Sequence, residues 1–216
     1  MKGLIIYSLK TLRTRNTLIE HLFSFKKYSS FTLNYLNVKE KIPFWISKKG
    51  YDFIILHYSF LADERFLDDE KHWLKKIKEI KNFKAIKVAI PQDECLYSNR
   101  LSSFFKDSNI DIICTLFTRD VDIKKVYLKS KTYRPKIIKV LTGYIDNESL
   151  TKLRVVPPLS KRGNDFSYRV RSLGENHGKH AYYKTILPLK LKKFLDDKGF
   201  INDFEYADDD ISSLTK

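Results

Sequence analysis

The stretch Asp52–His57, DFIILH, decides the fold: four consecutive large apolar residues stand between an acid and a histidine. Without polar alternation, such a run reads as a strand buried on both faces, the kind found in parallel sheets. Working outward, Gly3–Ser8 (GLIIYS) and Asp111–Leu116 (DIICTL) have the same character. Phe31–Asn37 alternates like a strand, Lys84–Ile90 is a strand stopped by Pro91, and Lys136–Leu141 (KIIKVL) is a further one. The segments between them carry helical spacing. From Thr17 onward, Leu18, Leu22, Phe23 and Phe25 recur at near-helical intervals, with Asn16 or Thr17 available as the cap. One long charged helix is expected over Asp63–Asn82, striped by Trp73, Ile77 and Ile80, then helices over Asn99–Lys106 and Asp120–Lys129. Parallel strands need crossovers of helix length, so this alternation predicts an α/β fold: a Rossmann-like parallel sheet with helices on both faces.

The expected first domain covers residues 1–155. Val155–Asn164 (VVPPLSKRGN) breaks the pattern with two prolines and a glycine, so residues 156–164 read as a linker. Residues 165–216 then hold strand-like Phe166–Val170, a helix near Lys179–Lys198 and strand-like Phe200–Tyr206, the start of a second α/β domain. Pro188 is expected to kink or divide that helix.

The formal net charge is +15. It reads either as a footprint for an anionic partner or as a compositional bias, since Lys outnumbers Arg and the basic residues are spread along the chain. No aromatic-studded basic motif points to nucleic acid, so none is expected as partner. Weak association with an anionic membrane surface is compatible with the charge. The two cysteines, Cys95 and Cys114, offer neither metal spacing nor a disulfide framework, and Cys114 lies in the apolar run IDIICTLF, where it is expected in the core. No metal is expected. No secretory leader or spanning segment is read, which predicts a cytoplasmic protein, at most peripheral at the inner face of the membrane.

In an open parallel sheet, ligands bind beyond the carboxyl ends of the strands, so the residues that follow each strand are the candidates. After the first come Arg13, Arg15 and Asn16, ahead of a helix N-terminus that favours anions. After the third come His57 and Tyr58. After the fourth come Gln92, Asp93 and Glu94; the two adjacent carboxylates point opposite ways on an extended chain, so one of them faces the cleft. After the sixth come Gly143, suited to a tight turn, and Tyr144. For each, a structural reading competes: a hydrogen-bonded histidine, a helix-capping aspartate, an ordinary turn glycine. There is no GxGxxG, no Walker loop, no GxSxG and no HExxH, so spacing alone names no reaction.

The loops as spelled go further. LKTLRTRNTLIEHLFSF, FIILHYSFLADERF, VAIPQDE, VLTGY and FSYRVR, in this order, resemble a group of bacterial glycosyltransferase-like proteins from surface-polysaccharide clusters. The resemblance implies a GT-B enzyme, in which a first Rossmann-like domain binds the acceptor and a second binds a nucleotide-sugar donor, with no obligatory metal or further cofactor. His57, Asp93 or Glu94 would then take the proton from the acceptor hydroxyl. Arg13, Arg15, Asn16, Tyr58, Gln92, Gly143 and Tyr144 would line the substrate side. The acceptor would be a glycan or a lipid-linked sugar. Phe166–Arg171 resembles the first strand of the second domain, and the pattern departs from the family after it, so catalysis is expected to be incomplete in this chain. The alternative is a non-catalytic module that binds an anionic glycan or lipid-linked acceptor, or pairs with a separate donor-domain chain.

Overall fold

The computed structural model describes residues 1–9, 16–38, 41–66, 69–141, 143, 147–153, 156–171, 173 and 178–207. The chain divides into two compact units, Met1–Asp146 and Asn147–Lys216.

The first unit is a Rossmann-like α/β domain. Its elements run β1 (Lys2–Tyr7), α1 (Asn16–Tyr28), β2 (Thr32–Asn37), β3 (Phe53–Leu56), α2 (Tyr58–Phe66), α3 (Glu70–Lys81), β4 (Ile86–Ala89), α4 (Ser98–Asp107), β5 (Ile112–Thr115), α5 (Asp120–Tyr127) and β6 (Lys136–Lys139). All six strands are parallel, in the order β2-β1-β3-β4-β5-β6. The chain steps from β1 outward to β2, then returns past β1 and steps the other way. Right-handed crossovers convert that reversal into helices on opposite faces. Thus Leu22 of α1 packs with Ile5, Phe53 and Ile55. The alternate residues Leu4, Ile6, Ile54 and Leu56 pack on the other face with Phe60 of α2, Ile80 of α3, Phe104 of α4 and Tyr127 of α5.

The single helix expected over Asp63–Asn82 is two. α2 begins directly after β3 and ends at Phe66; α3 starts afresh at Glu70, where Asp69 Oδ1 accepts from His72 N at 3.1 Å. Glu70 in its first turn and Lys78 and Lys81 in its last complement the helix dipole. The apolar stripe was legible, but the aspartate cap inside a charged run was not. Cys114 is half-buried rather than core, because alternation turns it to the α1 side of β5, where Ile86 and Ile138 also stay exposed.

Gly3 in β1 has a packing role. A Cβ there would lie 2.3 Å from Phe53 Cζ and 2.8 Å from Leu33 Cδ2, so the absent side chain is what lets the Phe53 ring cross β1. Lys76 on α3 is buried, its ammonium 3.3 Å from Glu79 Oε2 without a hydrogen bond of good geometry.

The second unit comprises α6 (Asn147–Leu153), β7 (Phe166–Arg171), α7 (Lys179–Asp197) and β8 (Asn202–Ala207). β7 and β8 pair in parallel, Phe166 opposite Asn202, with α7 as their crossover. α7 runs through Pro188 as one helix of 19 residues, so the proline neither ends nor divides it; its ring is buried, and packing outweighs the lost backbone bond. Gly199, at φ +72°, ends α7, while Phe200 N donates to Leu195 O at 3.0 Å. Among the described residues, no helix is long and apolar enough to cross a membrane.

Two substitutions test this packing in urea denaturation. Gly3→Ala is expected to cost about 1–3 kcal/mol by overpacking against Phe53. Lys76→Met is expected to leave stability unchanged or raise it, whereas Glu79→Ala, which strands a buried ammonium, is expected to cost about 3–5 kcal/mol.

Candidate functional site

The winding reverses between β1 and β3, and the loops that leave those two strands diverge there. This is the switch point at which open α/β sheets form a crevice beyond their carboxyl ends. Four polar side chains and the backbone amides of Ser8 and Ser59 meet at it. His57 follows β3, and its backbone N–H still bonds Ile6 O at 3.0 Å, so it is fixed as the last rung of the β1–β3 ladder. Its ring is fully buried. Its Nδ1 lies 2.9 Å from Ser59 Oγ and accepts from Ser59 N–H at 3.2 Å. Ser8 N–H, just beyond β1, donates to the same Ser59 Oγ at 3.2 Å. On the far side, His57 Nε2 lies 3.0 Å from His21 Nδ1. The Tyr58 ring covers both imidazoles, with centroids 4.1 Å from His57 and 5.3 Å from His21. Nearby, Leu9 N donates to Asn37 Oδ1 at 3.0 Å, tying the segment after β1 to the end of β2.

The backbone donor at Ser59 assigns the tautomers. His57 Nδ1 is an acceptor, so its proton sits on Nε2 and is donated to His21 Nδ1. His21 therefore carries its own proton on Nε2, a ring atom that has no hydrogen-bond partner among the described residues. Protonating either ring would force two N–H groups together in a buried site. Accordingly, burial first and the neighbouring His21 second push His57 down to about 3, and burial lowers His21 as well. The pair is neutral at physiological pH and presents one fixed N–H donor, His21 Nε2.

The two carboxylates after β4 part company. Glu94 is buried: Oε1 accepts from Thr115 Oγ1 at 2.7 Å and from the Tyr127 hydroxyl, and Oε2 accepts from Leu116 N at 2.7 Å. It clamps the β4 loop to β5 and α5. Asp93 is exposed and held in the left-handed region at φ +50°, as is the bulky Tyr97 at φ +49°. β3 and β4 are adjacent parallel strands, so Asp93 and His57 leave the same edge of the sheet, on strands about 4.8 Å apart. Gln92 is exposed beside Asp93. Asn16 is the exposed first residue of α1. Gly143 is exposed at φ +85°, a conformation that favours glycine. Arg13, Arg15 and Tyr144 lie outside the described residues.

Of the sequence candidates, His57 and Glu94 thus have their polar atoms engaged inside the protein. Neither offers an atom to an acceptor hydroxyl. The residue that sequence reasoning passed over is His21. Its signal was present: Leu18, Leu22 and Phe25 define the inward stripe of α1, and His21 stands on it, three residues after Leu18 and four before Phe25. Burial, with the Glu94 charge second, raises the Cys114 thiol, which makes it a poor nucleophile. Among the described residues, no group of three or more His, Cys, Asp or Glu is placed to hold a metal ion.

Comparison with protein-family models, curated proteins and solved structures finds no match to this chain. Fold and site alone define its class: a Rossmann-like α/β domain with a neutral histidine pair at the switch point.

The histidine pair makes stability depend on pH with a definite sign. A folded-state pKa below the ordinary 6.5 means that the unfolded chain binds more protons in the window from 6.5 down to about 3, so stability is lost as pH falls through it. From pH 6.5 to about pH 5 the loss from His57 is on the order of 2 kcal/mol. Urea midpoints measured across that range are expected to fall for the native protein and to fall less for His57→Gln.

Proposed function

We propose that the Met1–Asp146 unit is the acceptor-side domain of a GT-B type glycosyltransferase, binding a saccharide or lipid-linked sugar at the switch-point crevice. The observation that carries this reading is the His21–His57 pair at the switch point, where Rossmann-like sheets bind ligands; its hydrogen bonding leaves His21 Nε2–H as a neutral donor with no partner among the described residues. The resemblance of the strand-tip loops to glycosyltransferase-like proteins supplies the reaction. In it, an acceptor hydroxyl oxygen attacks the anomeric carbon of a nucleotide-sugar. The bond from that carbon to the phosphate oxygen breaks, the nucleoside diphosphate leaves, and the hydroxyl proton passes to a base.

His21 Nε2–H would hold an acceptor oxygen, and His57 is a positioning residue for it. Among the residues first considered as base, Asp93 is the exposed carboxylate at this edge and takes that role here. A neutral imidazole donor suits an acceptor whose oxygen must stay nucleophilic: it orients the group without protonating it.

A second reading, a non-catalytic glycan-binding module, is favoured by one observation: His57 and Glu94, two of the three residues considered as base, are both engaged in internal hydrogen bonds. One set of measurements separates the two. Titration with saccharides and sugar phosphates, followed through the His21 imidazole NMR signals, is expected to detect binding that His21→Ala weakens about 10-fold or more. Nucleoside diphosphate release from a nucleotide-sugar panel, measured with a separate donor-domain chain added, is expected to fall about 100-fold or more in Asp93→Asn. Binding without release supports the module, and absence of both rejects the crevice as a sugar site.

A further inference from the structure

At the opposite, amino edge of the sheet, the segment between β2 and β3 reads KIPFWISKKG over Lys41–Gly50. Its location is fixed by β1: Lys2 Nζ donates to Lys49 O at 3.2 Å, and Asp52 N donates to Lys2 O at 2.9 Å. Ile42 and Ile46 are buried in the main core and pin the segment at two points. The residues between them cannot follow them inward. Phe44 is 73% exposed, the most exposed aromatic among the described residues, and Trp45 is 48% exposed.

This exposure is not that of a loose loop. Ile46 N donates to Pro43 O at 3.0 Å, Lys48 N to Trp45 O at 3.2 Å, and Ser47 Oγ to Phe44 O at 2.8 Å. Glu79 of α3 accepts from Ile42 N at 3.1 Å. The two rings stand on a hydrogen-bonded platform with a 3-10 turn at Ile46–Lys48.

Cations surround them. Lys48 lies over the Phe44 ring at 5.4 Å and Lys49 over the Trp45 ring at 4.5 Å. Lys41, Lys75 and Lys78 line the adjoining hollow of about 580 Å³. Glu79 is the one carboxylate among the described residues that line it, and it is already held by Ile42 N–H and Lys76. The surface therefore joins protruding Phe and Trp with a ring of five lysines and, among the described residues lining the hollow, no available counter-charge.

We propose that this face is a membrane-docking surface, whose occupant is the headgroup layer of a bilayer rich in anionic phospholipid. Trp and Phe are favoured at the depth of the headgroups, where an apolar ring is buried and polar edges stay wet. Lysine stems lie along apolar surface while their ammonium groups reach the phosphates. Each lysine near an anionic surface contributes roughly five-fold in affinity. The same features fit single-stranded nucleic acid less well. Stacking platforms for bases need open ring faces, and here the Phe44 and Trp45 rings carry the protein's own ammonium groups; no arginine is among the described residues that line the hollow. Docking by the amino edge leaves the carboxyl-edge crevice clear of the bilayer, so the inference stands apart from the proposed function.

The test is vesicle flotation of the full chain, with phosphatidylcholine alone and with roughly three parts in ten of phosphatidylglycerol. Flotation is expected only with phosphatidylglycerol, and is expected to drop about ten-fold or more in Phe44→Ser/Trp45→Ser and in Lys41→Gln/Lys48→Gln/Lys49→Gln. In a Trp73→Phe background, Trp45 emission should shift to the blue on vesicles and be quenched by brominated lipid. Unchanged thermal melting of the variants separates lost docking from lost folding; a variant that melts early is replaced by Trp45→Ser alone, read in the same assay. Equal binding to both vesicle types, binding that survives the substitutions, or an unshifted Trp45 would overturn the proposal. So would the absence of flotation together with substitution-sensitive binding of a single-stranded RNA oligonucleotide, or with a dimer in sedimentation that the Phe44/Trp45 variant abolishes.

Discussion

The reversal of winding at β1 is the constraint on which the rest of the first unit depends. β1 is the strand that ladders to β2 on one edge and to β3 on the other. Stepping one way from it sends α1 to one face, and stepping the other way sends α2 through α5 to the opposite face. The two directions of the chain therefore part at the carboxyl end of β1. The His21–His57 bond is made across that parting: His21 is carried in by α1 from one half of the winding, and His57 by β3 from the other. The absent Cβ at Gly3 serves the same junction from within, since it lets Phe53 bind the β1–β3 pair to the α1 side of the core.

That junction is also why the site is neutral. A ligand crevice in an open sheet borrows its floor from the core, and a charge there would be stranded in apolar surroundings. The protein resolves this with hydrogen bonds passed in one direction: Ser8 N–H to Ser59, Ser59 to His57, His57 to His21. Two strands further along, Glu94 solves the same problem with the opposite chemistry, a carboxylate closed by Thr115, Leu116 and Tyr127. Both devices hold strand ends in place. Only the first ends on an atom, His21 Nε2, that has no partner among the described residues.

Much of this was legible in residue order, and the gaps have physical causes. Apolar runs marked β1, β3 and β5, whose burial leaves a signature that needs no partner to interpret, while alternation marked the more exposed edge strand β2. The division of the Asp63–Asn82 helix was hidden, since a charged stretch with a continuous apolar stripe gives little warning of a break; the Asp69 cap was the only mark. At the site, position after a strand singled out His57 and Glu94 but left open whether each turns toward the crevice or into the protein. Sequence position says which edge a residue reaches, whereas the side chain turns inward or outward according to what it can bond. His21 was missed for the converse reason: an amphipathic helix is read by its apolar stripe, and a histidine standing on that stripe gives no sign in sequence of the partner it meets.

The charge of +15 illustrates the same limit from the other side. As a sum, it cannot separate a bound partner from a compositional habit. The fold sorts it. Lys76 and Lys87 are taken inside, Lys139 is paired with Asp120, Arg169 with Asp203, and Lys192 with Asp196. Exposed pairs of this kind contribute little to stability, and their main effect is to cancel local field. What distinguishes the Lys41–Lys49 segment is not more charge but its setting. There, cations flank two rings that the buried Ile42 and Ile46 force outward, and the one carboxylate among the described residues lining the hollow is already committed to the backbone and to Lys76. A surface built from pinned aromatics and uncancelled lysines is a local structural decision, and it is independent of how many lysines the chain carries elsewhere.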